Sequence, residues 1–259
     1  MKNLVVILIA CGMWNVAQAA PQGATTGTSS LNAPSTGAIE LEPNLGMSLM
    51  SPGDLNGVIR DNNDAIQKQG VKSFSVGDLG SSIGFGLAAT YRVIPKLGLG
   101  LGFNRLSAST DGSAKVGENS LTGKYSMGAS LLTAEARIIP LATNDGKLEA
   151  VVAPFVGIGF YSASTELGGS ALQGGTREVA SSATGPVFGA SIGGRYWFTP
   201  FVSLGVQGGY RYAKSSVLKV DSQKNTEVAV GSQVESDGKK ISADASSITL
   251  GTQLVVAIQ

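Results

Sequence analysis

Eight charged side chains carry what chemistry this sequence offers inside a fold: Glu40, Glu42, Glu135 and Glu149, with Arg92, Arg137, Arg195 and Arg211. Each sits in a run that alternates in polarity, and each falls on the small, polar parity of its run. Four carboxylates and four guanidiniums on one shared face predict a paired network, because an unpaired charge in a low-dielectric interior costs several kcal/mol. Arg211 is expected nearer one end than the rest. Other chemistry is sparse. Paired carboxylates can hydrolyse a glycosidic bond, but these stand on separate runs with no cleft between them. Histidine is absent, which removes Ser-His-Asp, Cys-His and Glu-x-x-His constellations and imidazole metal sites. Cysteine occurs once, at Cys11, so neither an intramolecular disulfide nor a thiolate cluster can form. Asp61-Asn62-Asn63-Asp64 lacks the alternating ligand spacing and the glycine of a calcium loop. No catalytic residue, metal site or cofactor is therefore predicted.

The elements that must position these charges follow from composition and period. The chain has 259 residues, which sets a prior of one domain or at most two. Glycine contributes 36 residues, charged residues are 14%, and the formal net charge is +1. That balance leaves no basic patch for nucleic acid. The mean hydropathy of +0.17 is high, yet no stretch of 18 apolar residues offers a membrane helix. From Ala38 onward the dominant period is two, the period of strands.

Eight runs show it: about 39–49, 83–93, 97–104, 124–140, 148–162, 184–198, 201–213 and 248–258. Most have the length that a tilted strand needs to cross a bilayer, about 10 residues. In the fourth, Tyr125, Met127, Ala129 and Leu131 share one parity, while Leu132, Ala134, Ala136 and Ile138 share the other. A bulge near Leu131-Leu132 would restore a single apolar face. The connections alternate strictly. Ile94-Pro95-Lys96, Ala142 to Lys147 and Thr199-Pro200 are short, whereas about 51–78, 107–123, 163–183 and 214–242 are long. The continuously apolar face alternates with one of Gly, Ser, Gln, Glu and Arg, the reverse of a soluble barrel. The reading is an all-β, eight-stranded antiparallel up-and-down transmembrane β-barrel, with four long extracellular loops and three short periplasmic turns.

Aromatic residues fall into two groups, as girdles at both interfaces require. Tyr91, Tyr196, Phe198 and Phe201 lie beside the short turns; Phe85, Phe103, Tyr125, Phe160 and Tyr210 lie toward the long loops. The first long loop carries a helix pattern. Asp54 is its N-cap candidate, Leu55, Val58, Ile59, Ala65 and Ile66 lie near one face, and Gly70 can end it. Its two readings are a cap on the barrel mouth and a partner-binding element.

Residues 1–19 read as a signal peptide, with Lys2 before an apolar Leu4–Ala10 core and Ala17-Gln18-Ala19 as the cleavage pattern. Leu8-Ile9-Ala10-Cys11 also resembles a lipoprotein lipobox, a competing reading that would lipidate Cys11. Residues 20–36 are small and polar and read as a flexible linker, leaving 37–259 for the barrel.

Over roughly residues 37–259 the chain resembles the OmpA-like family of small bacterial outer-membrane β-barrels. The resemblance lies in Ala153-Pro154-Phe155-Val156-Gly157-Ile158-Gly159-Phe160-Tyr161, and in the hairpin from Gly189-Ala190-Ser191-Ile192-Gly193-Gly194-Arg195-Tyr196-Trp197-Phe198-Thr199-Pro200 through Gly209-Tyr210-Arg211-Tyr212. Two departures stand beside it. The chain ends Val256-Ala257-Ile258-Gln259 and not in the family's terminal Phe, and the peptidoglycan-binding domain of many relatives is missing. The resemblance implies a monomer in bacterial outer-membrane lipid, with a non-enzymatic structural or surface-interaction role. A surface ligand reached through the long loops is the open partner class. The alternative is a small porin that passes ions or small solutes through a Glu/Arg-lined lumen.

Overall fold

The computed structural model describes residues 34–172 and 175–259. The signal segment of 1–19, Cys11 and the linker up to residue 33 lie outside the described residues. Seven consecutive strands hydrogen-bond to their chain neighbours: β1 (Ile39–Met50), β2 (Ser81–Ile94), β3 (Leu97–Val116), β4 (Asn119–Ala142), β5 (Leu148–Gly168), β6 (Arg177–Thr199) and β7 (Val202–Val217). After short pieces β8 (Lys219–Lys224), β9 (Glu235–Ser236), β10 (Lys239–Lys240) and β11 (Ser242–Asp244), the last strand β12 (Ser247–Ile258) pairs with both β7 and β1. The ring of β1 to β7 and β12 is thus closed and antiparallel throughout, from Ile39 opposite Ile258 to Met50 opposite Ser247 at its seam.

Period two explains both surfaces of this wall. Leu45, Leu87, Leu101, Val156, Ile192, Val206 and Leu250 point outward and are exposed. A belt of large apolar side chains on every side would be an aggregation surface in water; in a bilayer it is the matched surface. The molecule is a transmembrane-type barrel. In the half of the barrel nearer the short turns, inward positions are taken mostly by small or polar residues, because eight strands enclose a space only just wide enough for side chains. At Gly157 a Cβ would run into the Leu132 carbonyl of the neighbouring strand, so this close cross-strand approach requires glycine.

The ring's short connections are Pro95-Lys96, residues 143–147 and Pro200-Phe201. In the second, Gly146 takes φ +68° and Asp145 accepts from Thr143 Oγ1 at 2.6 Å and Lys147 N at 3.1 Å. Those two bonds hold the Asp145 carboxyl below the usual range. The connections at the other end are long, and two of them are built largely from continued strand. The β3–β4 ladder runs unbroken from Ser107 opposite Gly128 to Val116 opposite Asn119, beyond the point where large apolar residues leave the outer face. Polar pairs such as Asp111 opposite Lys124, and Lys124 opposite Glu166, extend the wall past the belt.

Three local expectations are corrected. There is no bulge at Leu131-Leu132: both residues pair in continuous register, with Asn104 and Phe103 on one side and Gly159 and Ile158 on the other. Leu131 is 1% exposed inside the barrel while Leu132 is 50% exposed outside. The apolar residues change face because the interior itself turns apolar above this level. For the same reason Tyr125 is not a girdle residue; it is 6% exposed, and its hydroxyl accepts from Asn62 Nδ2 at 2.8 Å. Asp54 does not cap the helix α1 (Gly53–Lys68), whose N-cap is Pro52 and has no side-chain bond. Its carboxylate instead accepts from the Ser242 N–H at 3.2 Å and from the Ser242 hydroxyl at 2.6 Å, which ties the helix to β11.

Candidate functional site

The barrel interior divides into three levels. Near the short turns lies a charged ring, built from inward positions on four strands. Glu40 of β1 and Glu149 of β5 each bind both Arg92 of β2 and Arg195 of β6. Arg92 donates to Glu40 at 2.7 Å and to Glu149 at 3.1 Å, and Arg195 donates to each carboxylate at 2.6 Å. The four side chains are at most 3% exposed. Trp197 closes the ring: its indole N–H donates to Glu149 Oε2 at 2.8 Å, and the Arg195 guanidinium lies 5.1 Å from its ring centre, within cation–π range. Beside this square, Arg137 of β4 donates to Glu135 at 2.8 Å and also meets Glu42. Alternation along the strands puts these residues on one face; the stagger of the closed ring brings β1 beside β5 and β6 across the lumen.

Such a cluster is held by its geometry. Two carboxylates and two guanidiniums each have two partners, so the desolvation cost of each charge is offset twice over. The arrangement packs the lumen's width with charged groups that are all engaged.

Above the ring is a polar cavity of about 110 Å³, lined among others by Asn44, Asn104, Thr133, Ser191, Gln207 and Thr249. Glu135, Arg137 and Arg211 reach it as well. Arg211 stands apart from the other lumen arginines. It donates from Nη2 to Ser48 at 3.0 Å and to Ser247 at 2.8 Å.

The third level is an apolar plug at the long-loop end. Leu106, Met127, Leu131, Tyr161 and Val187 from the wall pack with Ile59 of α1 and with Phe74, Val76 and Leu79 of the strap that follows it. Three side-chain amides of the helix stitch the strap in place. Asn56 exchanges two bonds with Leu79, its Nδ2 donating to the carbonyl at 3.0 Å and its Oδ1 accepting from the N–H at 2.8 Å. Asn63 treats Val76 in the same way, and Gln67 Nε2 donates to the Phe74 carbonyl at 2.8 Å. The strap lies against β3 where Gly112 leaves room for the Ser75 carbonyl.

The eight charged residues named from the sequence all line the lumen. Seven gather into the two clusters near the short turns, and Arg211 sits toward the other end. Trp197 and the helix amides carry no comparable signal in composition. Asn56 and Asn63 are nevertheless seven residues apart, on the helix face that buries Ile59, and asparagine on an apolar helix face signals a buried polar partner.

No family model matches the sequence, and no curated protein matches it. The chain is similar to several solved structures at low identity. The outer membrane protein OprG from Pseudomonas aeruginosa matches at 10% identity and TM-score 0.48, over 88% of this chain and 99% of that one. A major outer membrane protein from Thermus thermophilus matches at 15% identity and TM-score 0.43, over 85% and 99%. Ail, the attachment invasion locus protein of Yersinia pestis, matches at 11% identity and TM-score 0.35, over 85% and 96%.

Proposed function

We propose that this chain is a closed, non-enzymatic β-barrel of a bacterial outer membrane, whose role is structural or lies in surface interaction through its long loops. The observation that carries this reading is the pair of seals in series, a packed charge ring below and an apolar plug above. Ions would meet two desolvated barriers in one narrow lumen, a poor design for conduction. The absence of histidine supports a non-enzymatic role, since the acyl-transfer and zinc chemistries that depend on imidazole have no base or ligand here. Closure of the ring on itself supports a monomer, because no strand edge among the described barrel strands is left to recruit another.

The alternative is a narrow porin, and the 110 Å³ polar cavity between the seals is what favours it. Planar-bilayer recording separates the two. The refolded protein is expected to give no single-channel steps above those of detergent alone. Reproducible steps that change in Glu135→Gln or Arg137→Ala would establish the porin instead.

A further inference from the structure

Arg211 has a partner problem that the other lumen arginines do not share. Arg92 and Arg195 each bind Glu40 and Glu149, and Arg137 binds Glu42 and Glu135. Among the described residues, no carboxylate reaches ion-pair distance of Arg211. Yet Arg211 is only 7% exposed. Its Nε has no hydrogen-bond partner, and Nη2 is satisfied only by the neutral hydroxyls of Ser48 and Ser247. A guanidinium stays charged under all physiological conditions, so it cannot escape the cost of burial by losing its proton. The four carboxylates of the lumen balance its four guanidiniums overall, but a buried positive charge with no charged group in contact is costly all the same.

The cavity beside it supplies the place. Its volume of about 110 Å³ holds several waters, and hence one small anion with part of its hydration shell. Asn44, Asn104, Gln207, Ser191 and Thr249 line it with Arg211; amides and hydroxyls can donate to an anion. The one acidic residue on its lining is Glu135, which Arg137 engages through Nε at 3.0 Å and Nη2 at 2.8 Å, with Thr90 donating at 3.4 Å. Arg137 thus holds two carboxylates, Glu42 and Glu135, and neither reaches ion-pair distance of Arg211.

We infer that Arg211 and this polar lining form an internal binding site for a small monovalent inorganic anion, with chloride as its cellular occupant. The anion supplies the charged contact that Arg211 lacks. Charge is the recognition element, and a cavity of about 110 Å³ limits the occupant to a small anion. The site rests on the barrel and its cavity, and it stands whether or not the lumen conducts.

The test is anomalous diffraction from crystals of the full barrel soaked in sodium bromide. The expected result is one bromide peak inside the lumen within about 3.5 Å of the Arg211 guanidinium, a distance usual for a charge-assisted contact. That peak is expected to persist in Arg211→Lys and to vanish in Arg211→Met. A wild-type cavity that shows only water overturns the inference, and this arm needs no variant to fold. A peak that survives in Arg211→Met overturns it equally. In solution, detergent-solubilised wild type is expected to broaden the chloride magnetic-resonance line, and Arg211→Met to lose that broadening.

Discussion

The side-chain amide of Asn63 meets the backbone of Val76 in both directions, Nδ2 donating to the carbonyl at 2.9 Å and Oδ1 accepting from the N–H at 3.0 Å. A side chain here replaces a neighbouring strand. The strap around Val76 runs across the mouth without a full β partner, and its buried polar groups must still be paired.

Removing that partner loosens the plug without touching the ring. Asn63→Ala leaves two buried backbone groups unpaired, at about 1–3 kcal/mol each. Even a loss of about 2 kcal/mol in local opening speeds hydrogen exchange at Val76 roughly thirtyfold. Exchange at Leu101 and Val206, in the wall, is expected to stay unchanged. Equal acceleration at all three would mean that helix and strap do not open as a unit of their own.

Glu149 is the residue on which the charged ring depends most, since Arg92, Arg195 and Trp197 all donate to it. Glu149→Gln leaves two guanidiniums to share Glu40 alone. Breaking a buried pair from one side costs about 3–5 kcal/mol. Trp197→Phe, which removes one hydrogen bond to a charged acceptor, costs about 1.5–3 kcal/mol. Urea titration of the refolded barrel, followed by circular dichroism, measures both. If Glu149→Gln proves no worse than Trp197→Phe, the ring is not held by its charges.

Leu132 and Leu131 test the wall's register. Leu132 faces lipid, where a lysine near the bilayer midplane costs about 2–4 kcal/mol; Leu131 faces the plug. Leu132→Lys is expected to lower folding yield into lipid vesicles but to leave folding into short-chain detergent micelles nearly intact. Leu131→Ala is expected to cost about 2–5 kcal/mol in either medium, as a core truncation does. The reverse pattern would put the strand one residue out of phase.

Those two leucines also show where the sequence was legible and where it stopped. Alternation with a uniform outer face identifies eight strands, and it places Glu40, Arg92, Glu149 and Arg195 on the inner parity, because side-chain direction in a strand is local. In the fourth run apolar residues occupy both parities, and period alone cannot separate a bulge from an interior that becomes apolar. That distinction depends on α1 and its strap, which arrive from more than fifty residues away in the chain (Ile59 to Leu131). The pairing of Arg195 with Glu40 lies deeper still. It follows from the stagger of the closed ring, a property that no single run contains. Tyr125 misleads for a related reason: a tyrosine near an interface suits a girdle until a partner such as Asn62 is known.

The two seals act in series, which gives a prediction with three arms. Met50 N donates to the Gly80 carbonyl at 2.8 Å, so the ends of the helix–strap segment already meet, and residues 52–79 can be replaced by a short Gly-Asn turn. That deletion opens the loop end alone. The quadruple variant Glu40→Ser, Arg92→Ser, Glu149→Ser and Arg195→Ser opens the turn end alone, and removing all four charges together avoids leaving any one of them unpaired. Resistances in series add, so the remaining barrier governs each single opening. Neither variant is expected to conduct in planar bilayers. Combining them is expected to give resolved steps, because both barriers are then gone and inward glycines widen the lumen between them. Steps from the deletion alone would show that the charged ring passes ions, and the plug would then be the barrel's sole gate.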